Sequence, residues 1–173
     1  MSIDDTSPPN ADLGQGTWQL DPERSAVEFT TRTFWGAIPV NGGFSRFRGR
    51  LDPDADPVVE LVIDAASVNT RNAKRDAHLR TADFFDVDAH PEIRFRADTL
   101  EVHGDHAHVT GTLEVAGRSS ELEPMVHLRP EGDEIQLDAV ARVNLREMGM
   151  ANGPGGMIAA KAWLNVRARL VRA

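Results

Sequence analysis

The sequence predicts an all-β domain, an antiparallel sandwich or barrel, and three observations carry that expectation. Apolar and polar residues alternate with a period of two through most of the chain, as in strands with one buried face. Clusters of Gly, Pro, Asn and Asp interrupt the alternation at short intervals, and most connections are too short for parallel crossovers. One long stretch, residues 67–95, departs from the pattern and holds a run of good helix formers. About eight to ten strands follow, with one helix among them.

Residues 1–16 are acidic and polar with Pro8-Pro9, and read as a disordered tail ahead of one domain over 17–173. Thr17 to Asp21 alternates, with Trp18 and Leu20 on one face, and Pro22 closes it. Ala26 to Arg32 sets Val27 and Phe29 against Glu28 and Thr30, and Phe34 to Pro39 reads as an apolar turn. Within Val40 to Leu51, Phe44 and Phe47 lie three apart, which breaks alternation and predicts a bulge or bend. Asp52 to Pro57 is a turn before the β-branched strand Val58 to Asp64.

Asn72 to Arg80 contains no Gly or Pro and predicts a short helix over about residues 71–81. Asn69 or Thr70 is the expected cap, and Ala73, Ala77 and Arg80 the expected shared face. Pro91 ends the excursion. Strands resume at Glu92 to Ala97, then at Thr99 to His103 and His106 to Val115 around a tight Gly104-Asp105 turn. Leu122 to Leu128 and Ile135 to Asn144 flank the Pro130–Asp133 turn, and Ala162 to Val171 alternates cleanly. A barrel has two open ends, and a helix in a long connection is a natural lid for one. Ala97, Gly111, Ala139, Ala141 and Ala168 are small inward residues, as an internal cavity requires or as dense packing against larger neighbours produces.

Composition narrows the function. No apolar run is long enough to span a membrane as a helix, and the N-terminus lacks the basic start and apolar core of a secretory signal, so a cytoplasmic location is expected. The absence of Cys removes thiol chemistry, and a net charge of −8 opposes nucleic-acid binding. The sequence has no G-x-S-x-G, H-E-x-x-H or strand-linked glycine fingerprint, so neither an enzyme nor a cofactor is expected. His78, beside Arg75 and Arg80, reads either as a polar group for an anionic head at the barrel mouth or as a structural tie, with Asp76 and Asp83 pairing the arginines. His103, His106 and His108 cluster at the hairpin and read as a solvated tip, not a metal site. The glycine-rich loop 146–160 carries Met148, Met150 and Met157 and reads as an apolar lip, a plug or a subunit contact.

Several fixed words coincide at fixed spacing: Ser67-Val68 with Thr70, Arg75-Asp76-x-His78-Leu79, Asp83-Phe84-Phe85-Asp86 and Pro91-x-Ile93-x-Phe95. To these add Trp18 to Phe29, Gly43-Phe44-x-x-Phe47-x-Gly49, Gly111-x-Leu113 with Gly117, and Asn144-x-x-Glu147-Met148-Gly149. Together they resemble the YceI-like family of lipocalin-like, polyisoprenoid-binding proteins. Arg24 and Thr33 stand where that family commonly has histidines, and Leu145 and Met148 replace its usual Arg and Phe.

The resemblance implies an eight-stranded antiparallel barrel with an internal cavity that binds an amphiphilic lipid, tail inside and head near the mouth. Expected lining residues are Phe29, Phe44, Leu61, Ile63, Phe85, Phe95 and Val109, then Leu113, Ala139, Ala141, Met148, Met150, Met157 and Leu164. Arg75, His78 and Arg146 are the candidates for the head. The expected partner is an isoprenoid or other long-chain lipid, with a homodimer left open, and the expected role is its binding, sequestration or transport. The alternative is a solid-cored, stress-related scaffold whose outer face or Met-rich loop meets a protein; a lipid hydrolase using His78 as base is a third reading.

Overall fold

The computed structural model describes residues 13–14, 16–33, 38–150 and 161–173. Its first half contains β1 (Trp18–Leu20), β2 (Ala26–Thr33), β3 (Ile38–Phe44), β4 (Phe47–Leu51), β5 (Val59–Asp64) and β6 (Val68–Asn69). After the helix α1 (Ala73–Leu79) come β7 (Glu92–His103), β8 (His106–Val115), β9 (Arg118–Leu122), β10 (Met125–Glu131), β11 (Glu134–Asn144) and β12 (Lys161–Arg172). These segments join end to end into eight walls of one closed antiparallel barrel. β12 closes it, pairing β11 along one edge and both β2 and β1 along the other. Four walls are composite: β1 with β2, β3 with β4, β5 with β6, and β9 with β10.

The composite walls are where the expected strands needed correction. Of the bulge or bend expected between Phe44 and Phe47, the structure has the bend, at Ser45. It breaks the strand at Ser45-Arg46, so β3 pairs β2 and β6 while β4 pairs β1 and β5. Leu122 to Leu128 is interrupted at Glu123-Pro124, because Pro has no N–H to give a ladder. Conversely, Glu92 to His103 runs as one strand, with its register shifted between Ala97 and Thr99. Ile38 and Pro39, expected in a turn, open β3, and the rest of that turn lies outside the described residues.

The period-two pattern places one continuous core along the barrel axis, from Leu20, Leu51 and Leu170 at one end to Ile63, Val143 and Met148 at the other. The first end has a floor. Trp18 is buried, its Nε1–H donates to the carbonyl of Leu13 at 2.8 Å, and the Arg172 guanidinium lies 4.0 Å over its ring. Leu13 lies ahead of the domain start expected at Thr17 and is itself buried. Beside the floor, Arg24 bridges Asp21 at 2.8 Å and Glu134 at 2.9 Å. Hydrogen bonding to Arg24 lowers the pKa of both carboxyls, so this cluster stabilises the fold above the ordinary carboxylate range and loses its effect as pH falls through the depressed values. Both partners are partly exposed, so the contribution is small.

Gly111 follows the second of its two readings, packing against a larger neighbour. A Cβ there would meet the ring of Phe95 at 2.6 Å and would clash with the carbonyl oxygen of Arg96. The backbone contact cannot be relieved by a rotamer change. Gly111→Ala should therefore destabilise the barrel by about 2 kcal/mol, the scale of overpacking, read as a lower midpoint in chemical denaturation.

Candidate functional site

The barrel interior is not solid. Two apolar chambers lie in it. The lower, of about 100 Å³, is walled by Leu61, Phe95, Val109, Ala139, Ala141 and Leu164, and narrows toward Leu20, Leu51 and Leu170 at the floor. The upper, of about 120 Å³, is walled by Phe29, Phe44, Ile63, Phe85, Leu113, Met148, Met150 and again Leu164. Leu164 is common to both, so its side chain stands at their junction. Of the lining residues named from sequence, only Met157 has no place here, because it lies outside the described residues.

Sequence reasoning passed over Leu79, Phe84, Ile93, Val115 and Val143 in the upper chamber, and Leu100, Leu122, Val126, Leu128, Leu137 and Val166 in the lower. Most of these share the period-two phase of the chosen residues, so the signal was present; Leu79 and Phe84 lie off the strands.

The lid is α1 with the turns that follow it. Phe84 is buried and Phe85 half-buried over the upper chamber, and Phe44 lies between Phe85 (5.8 Å) and Phe29 (5.6 Å), ring centroid to centroid. The cap of α1 is Asn72, whose side chain accepts from the Arg75 N–H at 3.1 Å, in place of Asn69 or Thr70. Ala73 and Ala77 face solvent; the inward residues are Asp76, Leu79 and Arg80. Asp76 is 7 % exposed. Its Oδ1 accepts from the Thr70 N–H at 2.8 Å and from the Thr70 hydroxyl at 2.5 Å.

The arginines are not paired by Asp76 and Asp83 as one reading had it. Arg75 donates through Nε to Thr70 Oγ1 and through Nη2 to the Thr70 carbonyl, each at 2.8 Å. Arg80 donates to the carbonyls of Ala66 at 2.9 Å and Val68 at 3.3 Å. These carbonyls lie in and on either side of the short β6, where the sheet leaves backbone acceptors to be satisfied by side chains. Asp83 instead meets His78, Oδ2 to Nε2 at 3.1 Å, and the His78 ring stands edge-on to Phe84 at 5.0 Å. His78 thus ties the helix to the turn after it. No buried side-chain N or O among the described residues lacks a partner.

The described part of the Met-rich loop, residues 146–150, packs inward as a plug. Met148 is 2 % exposed, Glu147 Oε2 accepts from the Ser120 hydroxyl at 2.8 Å, and the Met150 N–H donates to the Leu145 carbonyl at 2.9 Å. Arg146 is exposed, with its backbone N–H donating to Asn144 Oδ1. Outside the wall, a polar groove of about 720 Å³ runs along β2, β3 and β6 past Asn69, Thr70, Arg71 and Arg75. Phe29 and Phe44 border both this groove and the upper chamber. Two aromatic rings are what separates them. Arg24, standing for a typical family histidine, sits by the floor and away from this groove's cationic end.

Known proteins share this architecture. The "UPF0312 protein" of Pseudomonas aeruginosa strain LESB58 is 34% identical over 124 residues, 68% of this chain and 64% of that protein. "Protein YceI" of Salmonella arizonae is 33% identical over 98 residues, 54% of this chain and 51% of its own length. The chain thus spans less than two thirds of the curated relatives it matches. Among solved structures, BcnA of Burkholderia cenocepacia superposes with a TM-score of 0.77 at 18% identity, covering 87% of this chain and 98% of its own. A polyisoprenoid-binding domain from Saccharophagus degradans, implicated in plant cell wall breakdown, gives 0.73 at 14% identity, covering 90% and 98%. At those identities the structures speak for the fold. The lidded barrel and the fixed words of its lid are matched from residue 18 to residue 170 by the model of the YceI-like domain, and the chain belongs to that family.

Proposed function

We propose that the protein is a non-catalytic binder or carrier of an amphiphilic lipid, an isoprenoid or fatty chain whose tail occupies the barrel. The observation that carries this reading is the pair of chambers lined by aliphatic and aromatic side chains beneath a lid. Transfer of apolar surface into such a space supplies about 25 cal/mol per Å² before ordering costs. The polyisoprenoid-binding neighbour supports the same ligand class.

Size sets how such a ligand is held. An apolar cavity of about 150 Å³ takes one benzene. Each chamber here is smaller, so each accepts a short length of chain. A long tail occupies both only when Leu164 rotates from the junction. The head group then lies in the polar groove near Arg71 and Arg75, the tail passing between Phe29 and Phe44. Arg75 keeps donors for it, because a guanidinium has five N–H groups and Thr70 accepts from only two of its nitrogens.

Native mass spectrometry of the protein from its own cells, followed by solvent extraction, tests the reading. The expected result is a stoichiometric extra mass that extracts as one lipid class. A clean protein mass, together with no uptake of palmitate or farnesol offered in excess, would overturn it.

A further inference from the structure

The outer wall at the floor end carries a cluster that the lipid reading does not use. Asp105 lies in the turn between β7 and β8, His106 opens β8, and His127 is on β10 directly opposite His106. The two imidazole centroids are 4.2 Å apart with their planes at 53°, and Asp105 Oδ1 is 2.5 Å from His106 Nδ1. One ligating atom from each of the three residues falls within 4.8 Å of the others. His103 is opposite His106 on its other side, in β7, and His108 lies two residues further along the same outer face. Four of the chain's six histidines therefore share one patch of wall.

We propose that Asp105, His106 and His127 form a surface site for a late first-row divalent cation such as Zn²⁺, Ni²⁺ or Cu²⁺. Imidazole and carboxylate are ligands for these ions. The two histidines are set opposite one another by the β8–β10 register, so strand pairing has already brought them together. A tetrahedral zinc with bonds of about 2.0–2.1 Å places its ligands about 3.3 Å apart. The three ligating atoms lie within 4.8 Å of one another on exposed side chains, and the Asp105–His106 contact of 2.5 Å would open to admit the ion. Three protein ligands leave one position for water.

The site spans a short seam. β8 and β10 are joined at Met125–His108, Val126–Ala107 and His127–His106, next to the interruption at Glu123-Pro124. Pro124, Val126 and Leu128 line the lower chamber on the other side of this wall. A cation held by His106 and His127 cross-links the seam from outside, and so stabilises the barrel without entering it.

Titration of zinc chloride into the full chain, followed by calorimetry and by the imidazole NMR resonances, is the test. One micromolar site is expected, with the His106 and His127 resonances moving together. His106→Ala and His127→Ala should each weaken binding at least about tenfold, while His90→Ala, at the lid end, should leave it unchanged. Zinc at a hundredfold excess over its Kd should raise Tm by about 5–10 °C in the wild type and not in His127→Ala. All three histidines are partly or fully solvent-facing, and circular dichroism checks that the variants stay folded. Absence of binding below millimolar zinc, or wild-type affinity in the folded His106→Ala and His127→Ala variants, would overturn the site. The test does not depend on whether the barrel holds a lipid.

Discussion

Asp76→Ala should cost about 3 kcal/mol and release the lid. The carboxylate is buried, and its removal strands two donors, the Thr70 N–H and hydroxyl, each worth about 1–3 kcal/mol when left unsatisfied away from water. Arg75 donates to that same Thr70, so the loss of order at Thr70 loosens its contacts too. The loss should be local as well as global. Hydrogen exchange should quicken over residues 68–90, while the β7–β8 and β11–β12 ladders stay protected until global unfolding. Thr70→Val is the companion variant: it removes the hydroxyl but leaves the backbone bond to Asp76, so it should open the lid less. Equal exchange in wild type and Asp76→Ala would show that the latch lies elsewhere.

Ala141→Phe should separate long from short ligands. The new ring, about the size of benzene, fills the lower chamber of about 100 Å³ that Ala141 lines. The upper chamber, which Ala141 does not line, stays open. A methylene is worth about 0.8 kcal/mol on burial, so excluding three or four of them weakens binding on the order of a hundredfold. Palmitate or farnesol should lose that affinity and octanoate should keep most of its own, measured by competition with a fluorescent fatty acid. The ring needs more space than this chamber offers, so overpacking should also lower stability by about 1–3 kcal/mol. A folded variant that binds palmitate as tightly as the wild type would remove the lower chamber from the tail's path.

Much of this interior was legible in the sequence because a strand has only two faces. Once Val109 points inward, Leu113 follows, and the same parity selects Ala139, Ala141 and Leu164. Where the chain leaves the sheet, parity gives no guidance. On α1, Ala73 and Ala77 looked like the apolar face, yet the helix turns Asp76 inward, because Thr70, just after β6, offers a polar N–H and hydroxyl that need a partner. The same need diverts Arg75 and Arg80 to backbone carbonyls and leaves His78 with Asp83. A local sequence window does not show which carbonyls a distant strand leaves open. Glu123-Pro124 was a different case: the proline advertised a break that the alternation around it concealed. The Asp105–His106–His127 cluster was half visible, since His106 was noted at its hairpin, but His127 enters only through the β8–β10 pairing.

The composite walls have a mechanical consequence. β7 with β8, and β11 with β12, are long antiparallel pairs, while the walls between them are interrupted at Pro22–Arg24, Ser45-Arg46, Ala65–Ser67 and Glu123-Pro124. The molecule is thus two stiff staves connected by jointed panels. A change of girth taken up at the panels would leave the ladders of both staves paired, so on the lipid reading proposed above a wider guest would be met by articulation and not by melting. The joint at Glu123-Pro124 lies beside the histidine pair, which makes that panel the one whose play an external clasp would limit.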